Sequence, residues 1–187
     1  MKQQFIPEQR VMEEVKKAIA EGIDIDPAGI TPESSLMKDL GAESLDFLDI
    51  NYRLEQTFGI KMARRSVIDH MEELFGEESA VDADGKLTAK AAQVLAMRYD
   101  GSGDVIQAGM DLDELPVTVT VSSLAEVVGG LLDTLPEACT NCGAKNWTLG
   151  DETRIACEAC SEPASFTSGD DLIESWLKQV QEERKIF

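Results

Sequence analysis

Apolar residues recur every three to four positions along most of the chain, and this periodicity predicts a mainly helical protein. The first such series follows Pro7 and stops at Gly22, residue types that favour the first turn and the end of a helix. A second series runs through Ile50, Leu54 and Phe58 and predicts a helix with one face in a core. Two early helices are therefore expected to pack through these stripes.

A long connection, residues 23–41, separates these two helices. It contains Pro27, Gly29 and Pro32, which disfavour a continuous helix. Four apolar residues are spaced along it and are expected to hold it against the core: Ile25, Ile30, Leu36 and Leu40. The connection is therefore predicted to be ordered despite its length.

Beyond residue 61 the pattern predicts further helices and one ambiguous segment. Apolar spacing marks residues 67–75, and Thr88 is a candidate cap for the helix that follows it. Ser123 and Glu126 form a capping-box pattern at the start of another apolar series. The alternation in residues 117–121 is typical of a strand, but no partner strand is evident, so an extended lead-in fits equally well.

The second helix has a distinct feature at its start, where Ser44 follows the glycine-containing loop of residues 39–43. A serine that opens a helix is most often an N-cap, which accepts a backbone hydrogen bond. The free N–H groups and positive dipole end of a helix N-terminus also stabilise an attached anion by roughly 0.3–1 kcal/mol. Ser44 is therefore a candidate for a cap or for a phosphate attachment site.

The same helix carries a second apolar stripe, formed by Leu45, Leu48 and Tyr52. Acidic residues are interleaved with this stripe: Asp46, Asp49 and Glu55. A surface that is both apolar and negative is suited to partners with basic docking patches.

The run Asp39-Leu40-Gly41-Ala42, followed by Ser44-Leu45 and by the ending Phe58-Gly59-Ile60, resembles the acyl carrier proteins. The resemblance covers residues 7–61 closely and residues 117–135 loosely. In that family the matching serine carries 4'-phosphopantetheine through a phosphodiester, and acyl groups are held as thioesters on its terminal thiol.

The resemblance implies an acyl-carrier-type four-helix bundle in which Ser44 carries phosphopantetheine. It also implies a phosphopantetheinyl transferase as a partner, together with acyl-transferring and chain-modifying biosynthetic enzymes. The docking residues would be Glu43, Leu45, Leu48, Asp49, Tyr52 and Glu55. Three positions depart from the family: Glu43 replaces the usual aspartate before the serine, and Asn51 and Arg53 stand where apolar or small residues are usual.

Four cysteines form two Cys-x2-Cys pairs, Cys139 with Cys142 and Cys157 with Cys160. The intervening segment is long enough for a short hairpin that brings both pairs around one tetrahedral ion. The pattern resembles a zinc ribbon, and a structural zinc is expected because four thiolates leave no open position for catalysis. Iron in the same site and a redox dithiol are the alternatives.

The charge balance limits the classes of partner. The chain has 17 Lys and Arg against 36 Asp and Glu, which gives a net charge of -19. Nucleic acid is therefore not expected as a partner, and the ribbon itself has only Lys145 and Arg154 as basic residues. Because there is neither a secretory signal nor a membrane-length apolar run, we expect no transmembrane segment and a cytoplasmic protein.

Catalytic motifs are not evident. His70 is the only histidine, and it lies in a predicted helix without a nucleophile motif nearby, which favours a polar helix residue over a catalytic one. No glycine-rich nucleotide-binding loop is present. The chain is therefore expected not to be an enzyme.

These observations predict an acyl-carrier domain at residues 1–135 with an insertion at about 62–116. A zinc ribbon at 136–166 and a C-terminal amphipathic helix at 167–187 are expected to follow, the helix packing on the ribbon or on the carrier core. The expected function is to hold acyl intermediates at Ser44 in fatty acid, polyketide or specialised lipid biosynthesis. The alternative is a scaffold protein with a carrier-like domain that lacks the prosthetic group and docks through its ribbon.

Overall fold

The computed structural model describes residues 3–98 and 106–187, and the chain divides into two compact units. Unit 1 comprises Met1–Met62 and Thr120–Gly169, and unit 2 comprises Ala63–Val119 and Asp170–Phe187. Each unit is therefore built from two separate stretches of chain.

The described residues form six α-helices and one antiparallel pair of strands. The helices are α1 (Glu8–Gly22), α2 (Ser44–Phe58), α3 (Val67–Phe75), α4 (Ala89–Arg98), α5 (Val121–Leu132) and α6 (Gly169–Arg184); the strands are β1 (Trp147–Asp151) and β2 (Arg154–Cys157). Short 3₁₀ helices span Pro27–Gly29 and Leu112–Thr118. The prediction of a mainly helical protein with a small hairpin is confirmed. None of these helices has the length and apolar character needed to cross a membrane.

In unit 1, α1 packs against both α2 and α5. The three helices bury the apolar stripes expected from their periodicity, including Val15, Ile50 and Val128, each 0% exposed. At the end of α1 the backbone approaches α2 so closely that a Cβ on Gly22 would lie 2.8 Å from Ile50 Cγ1. A side chain at Gly22 would therefore force the two helices apart.

The connection after α1 is held against the start of α5 by backbone hydrogen bonds. Val121 N donates to Ser34 O (3.1 Å), and Ser122 N donates to Pro32 O (2.8 Å). Ile30 and Leu36 are buried, as expected for apolar anchors, while Ile25 and Leu40 are half-buried.

The start of α5 differs from the sequence prediction. Thr120, rather than Ser123, is the N-cap: its side chain accepts a hydrogen bond from Ser123 N, and Ser123 occupies the third helical position. The predicted strand at residues 117–121 is not formed, because this segment ends a 3₁₀ helix and enters α5, and only Thr120 makes a β-bridge, with Ser35.

The core of unit 2 is formed by α3, α4 and α6, which bring together buried residues such as Met71, Leu95 and Leu177. The rings of Phe75 and Phe187 stack with centroids 4.3 Å apart. The helix predicted near the C-terminus is present as α6. Its buried residues pack within unit 2, in a location that the sequence analysis did not predict.

Candidate functional site

The loop before α2 has a fixed backbone conformation. Ala42 is buried, and its N–H donates to Leu36 O (2.8 Å). The Asp39 carboxylate accepts a hydrogen bond from Ser35 N (2.8 Å). Gly41 has a φ of 76°, a value that residues with a Cβ rarely adopt, which explains why glycine stands here. This loop defines where α2 begins.

Ser44 is the first residue of α2, and it is exposed. The N-cap is Glu43, whose carbonyl accepts from Asp46 N (3.0 Å) and whose N–H donates to the Asp46 carboxylate (2.7 Å). The interpretation of Ser44 as the N-cap is therefore wrong by one position. No hydrogen bond from the described residues engages the Ser44 hydroxyl, so it is available as a nucleophile.

Two opposing electrostatic effects act on a phosphodiester attached to Ser44. The positive end of the α2 dipole favours the anion by roughly 0.3–1 kcal/mol. The exposed carboxylate of Glu43 and the nearby carboxylate of Asp46 oppose it through water, where unit charges about 4 Å apart repel by about 1 kcal/mol. The site therefore offers an accessible hydroxyl, with a helix dipole that favours an attached anion and two carboxylates that oppose it.

The second stripe of α2 projects into solvent. Leu45, Leu48 and Tyr52 are 76%, 58% and 56% exposed, more than any other large apolar side chain in the described part of the chain. Isolated exposed leucines are common, whereas three on consecutive turns of one helix favour a docking surface. We call these three side chains the apolar stripe.

The predicted acidic docking residues are partly engaged within unit 1. Arg53 Nε donates to the Asp49 carboxylate (2.7 Å), and Arg53 Nη1 also pairs with Glu21 (2.9 Å). The Glu55 carboxylate accepts from Met62 N (2.8 Å), which fixes the exit from α2. The negative charge beside the apolar stripe is therefore reduced by Arg53, and Glu55 also has a structural role.

The four cysteines come together at one end of the β1–β2 hairpin. Their Sγ atoms all lie within 4.8 Å of one another, with 3.7 Å between Cys139 and Cys160 and 3.6 Å between Cys142 and Cys157. Zinc–sulfur bonds of 2.3 Å in a tetrahedron place sulfurs about 3.8 Å apart. The four thiols therefore have the spacing of a tetrahedral metal site, and they are the only such group of metal-binding side chains among the described residues.

Both Cys-x2-Cys pairs use the same backbone turn. Gly143 N donates to Cys139 O (2.8 Å), and Ser161 N donates to Cys157 O (2.9 Å). The two donors also share a positive φ, 75° at Gly143 and 60° at Ser161. The second turn therefore has the same backbone conformation as the first, with Ser161 in the place of Gly143. Because the two residue types differ, the sequence alone does not reveal that the turns are equivalent.

The proton affinity of the cluster fits a metal-binding role. A hydrogen bond from Ala144 N lowers the pKa of the Cys142 thiol, but contacts with the thiols of Cys160 and Cys157 outweigh it and raise the pKa to about 12. Crowded thiolates repel one another, so without a cation they stay protonated. A divalent ion removes this penalty by binding the deprotonated sulfurs.

His70 has a structural position in unit 2. It is 1% exposed, and its Nε2 lies 3.0 Å from the Asp170 carboxylate, while Arg65 Nη2 lies 3.3 Å from its Nδ1. The sequence analysis placed His70 as a polar helix residue but missed its burial and its partner at the start of α6. No nucleophilic side chain is among these hydrogen-bond partners.

Asp170 organises this cluster, and its removal is expected to destabilise unit 2. Its carboxylate accepts hydrogen bonds from Arg64 N (3.0 Å), Arg65 N (3.1 Å) and His70. Asp170→Asn is expected to lower the free energy of unfolding by about 1–3 kcal/mol, because the buried His70 ring and two backbone N–H groups lose charge-assisted bonds. Urea unfolding of wild type and variant measures the change, with Asp84→Asn, an exposed carboxylate of the same unit, as the control.

The same carboxylate makes the stability of unit 2 depend on pH. Burial alone would raise the pKa of Asp170, but hydrogen bonds from Arg64 N and His70 lower it below its ordinary value of 3.8. A carboxylate with a lowered folded-state pKa stabilises the protein above its unfolded-state pKa and loses this effect as the pH falls through the lowered pKa. Between pH 5 and pH 3, wild type should therefore lose more stability than Asp170→Asn; parallel losses would contradict this role.

Comparison with known proteins gives a consistent result for the segment around Ser44. Residues 13–71 match the family described as "Phosphopantetheine attachment site". The acyl carrier protein of Helicobacter pylori is 40% identical over 52 residues, which cover 28% of this chain and 67% of that protein. The acyl carrier protein AcpXL of Rhizobium etli is 52% identical over 50 residues, or 27% of this chain and 54% of that protein.

The similarity extends to AcpXL of Mesorhizobium japonicum, which is 50% identical over 50 residues. The chain thus spans about half the length of these AcpXL proteins. No solved structure matches the chain. The matched residues include the loop, Ser44 and all of α2, and they exclude the four cysteines.

Proposed function

The chain belongs to the acyl carrier protein family, and we propose that it holds acyl groups as thioesters on a 4'-phosphopantetheine arm attached to Ser44. When attached, the arm supplies a terminal thiol, whose thioesters are activated toward acyl transfer. We further propose that the chain serves fatty acid, polyketide or specialised lipid biosynthesis in the cytoplasm, as a carrier rather than an enzyme.

The exposed hydroxyl of Ser44 is the observation that carries this proposal. It stands at the first position of a helix, after a loop whose conformation is set by Gly41 and by the hydrogen bond from Ala42. Because the N-cap role belongs to Glu43, modification of Ser44 removes no hydrogen bond from the described structure. The protein can therefore accept a large substituent here without losing stability.

Intact mass spectrometry tests the attachment directly. The full chain is incubated with coenzyme A and a promiscuous phosphopantetheinyl transferase, and the modified peptide is then sequenced. We expect the gain of one phosphopantetheine on Ser44. No gain, while a known carrier protein is loaded in parallel, would favour the scaffold alternative and would implicate Glu43 in place of the family's usual aspartate.

The apolar stripe, together with Glu43, Asp49 and Glu55, is proposed as the docking surface for the transferase and for acyl-processing enzymes. Leu48→Ala is expected to lower kcat/KM for loading about tenfold, because a leucine buried on docking contributes about 1–2 kcal/mol. Initial rates at low carrier concentration measure this loss.

A matched control distinguishes the loss of a docking contact from the general effect of removing an exposed leucine. Leu149 is also an exposed leucine (38%) but lies on β1, so Leu149→Ala should load at the wild-type rate. Both variants should retain the wild-type Tm, since neither side chain is buried. Equal loading of Leu48→Ala and wild type would remove the apolar stripe from the docking surface.

We propose that the four-cysteine cluster binds one structural Zn²⁺ through Cys139, Cys142, Cys157 and Cys160. Support comes from the spacing of the sulfurs and from the preference of zinc for closed four-thiolate sites. Iron is the competing ion for such a donor set. The cluster holds no open position, so its role is structural.

The sequence-based division of the chain is retained as a proposal. The carrier portion is assigned to residues 1–135 with an insertion at about 62–116, the ribbon to 136–166 and a terminal helix to 167–187. The continuation of unit 1 at Thr120 supports an interrupted carrier portion.

A further inference from the structure

The turn of the ribbon hairpin contacts the last turn of the proposed carrier helix. Thr153 lies between β1 and β2, is 9% exposed, and donates from Oγ1 to the carbonyl of Thr57 (2.7 Å). The next residue, Arg154, donates from its guanidinium to the carbonyl of Gln56. Two adjacent ribbon side chains therefore bind two adjacent carbonyls of α2.

These carbonyls are the ones that a helix cannot satisfy by itself. The helix α2 ends at Phe58, and Gly59 N donates to Glu55 O (2.9 Å). The next two carbonyls, those of Gln56 and Thr57, lie among the last four of the helix, which lack helical partners. The ribbon supplies those partners, and the positive charge of Arg154 also stands at the negative end of the helix dipole.

The same strand connects this contact to the cysteine cluster. β2 begins with Arg154 and ends with Cys157, and between them Ile155 is 2% exposed. A four-residue strand spans about 10 Å from its first to its last residue. The position of the capping side chains therefore depends on how well β2 is held by the metal ligand at its other end.

A second contact links the turn to α1. Glu152 pairs with Arg10 of α1 (2.6 Å). Because Glu152 is mostly exposed, this pair contributes little energy and mainly orients the turn.

We propose that the ribbon is a C-terminal cap for α2, so that metal occupancy of the four-cysteine cluster controls the order of the carrier helix. The inference rests on the proposed zinc site and adds a role for it. Metal loss frees β2, withdraws Thr153 and Arg154 from the two carbonyls, and allows the last turns of α2 to open.

Hydrogen exchange of the full chain tests this coupling. The zinc-loaded protein is compared with the same protein treated with a zinc chelator, and peptides from residues 52–62 and 147–160 are followed. Chelation is expected to speed exchange in the ribbon, and also to speed exchange at the end of α2 about tenfold, the effect of losing a hydrogen-bonded cap.

Side-chain variants distinguish the loss of the capping hydrogen bonds from the loss of the metal ion. Thr153→Val with Arg154→Met removes both side-chain donors and leaves every cysteine in place. In its zinc-loaded form, the end of α2 should exchange at the rate of the metal-free wild type while the ribbon stays protected. Thr153→Ser should restore most of the protection lost in Thr153→Val. Thr148→Val with Lys145→Met, at two exposed ribbon positions, is the matched control.

Three results would overturn the proposal. The first is unchanged exchange at the end of α2 when chelation exposes the ribbon, and the second is wild-type exchange there in the zinc-loaded double variant. The third is a protein that takes up neither zinc nor iron, established by elemental analysis. Phosphopantetheine loading at Ser44, measured by intact mass on the same samples, tests the carrier function independently of the capping proposal.

Discussion

Ser44→Ala is expected to abolish phosphopantetheine attachment completely while leaving the fold intact. The hydroxyl oxygen forms the phosphodiester bond, so alanine removes the only atom that can react at this position. Intact mass spectrometry should therefore detect no phosphopantetheinylated Ser44→Ala protein. The Tm should change little, because Ser44 is exposed and Glu43 provides the N-cap.

Two comparisons make this result specific. Ser165→Ala removes another exposed serine hydroxyl, outside α2, and should load like wild type. Circular dichroism of Ser44→Ala should show wild-type helicity, which excludes unfolding as the cause. A phosphopantetheine group found on Ser44→Ala would refute the assignment of the attachment site.

Loss of one metal-binding cysteine is expected to have the second large effect. Cys157→Ser should reduce zinc from one ion per chain to well below one, and the ribbon should lose protection from exchange. Structural zinc binds small ribbons with about 10–16 kcal/mol at neutral pH, and this free energy is also folding free energy for a module with so small a core. Cys157 is 1% exposed, so serine also places an unpaired polar group in the interior.

The control is a neighbouring residue that can also bind cations. Glu158 is exposed, and Glu158→Gln should bind one zinc like wild type. Elemental analysis of all three proteins distinguishes zinc from iron. Full zinc occupancy in Cys157→Ser would contradict a four-thiolate site. Iron in the wild-type protein would instead support the four-cysteine site but replace zinc as its ion.

The position of Ser44 at the start of α2 was predictable because its signals are local. The loop, Ser44 and the core stripe of α2 lie within twenty residues, and their spacing sets the helix face directly. The four-cysteine cluster was equally predictable, since two Cys-x2-Cys pairs carry their own geometry. In both cases the chemistry depends on residues that are close in sequence.

The helix starts were less predictable because several neighbouring residues can cap. Thr120 and Ser123 are both good N-caps, and the choice falls on Thr120, which also bridges to Ser35 across unit 1. At α2, Glu43 and Asp46 form the capping pair and leave the better capping residue, Ser44, inside the helix. Tertiary contacts and reciprocal pairs therefore outweigh single-residue preference.

The remaining features depend on residues far apart in the chain. His70 reads as a surface residue until Asp170 is placed beside it. Likewise, nothing in the hairpin turn indicates that Thr153 binds a carbonyl of α2. Such contacts leave no periodic or spacing signal, because each requires only one suitable side chain at a distant position.

The division of unit 1 into two stretches of chain has a consequence for its synthesis. Residues 63–119 are translated between α2 and α5, and at about 5–20 residues per second this takes about 3–11 s. During that interval α1 and α2 have been synthesised but α5, which packs on α1 in the folded unit, has not. Chaperones that recognise apolar segments therefore have seconds to engage this nascent chain, and slower translation would lengthen that exposure.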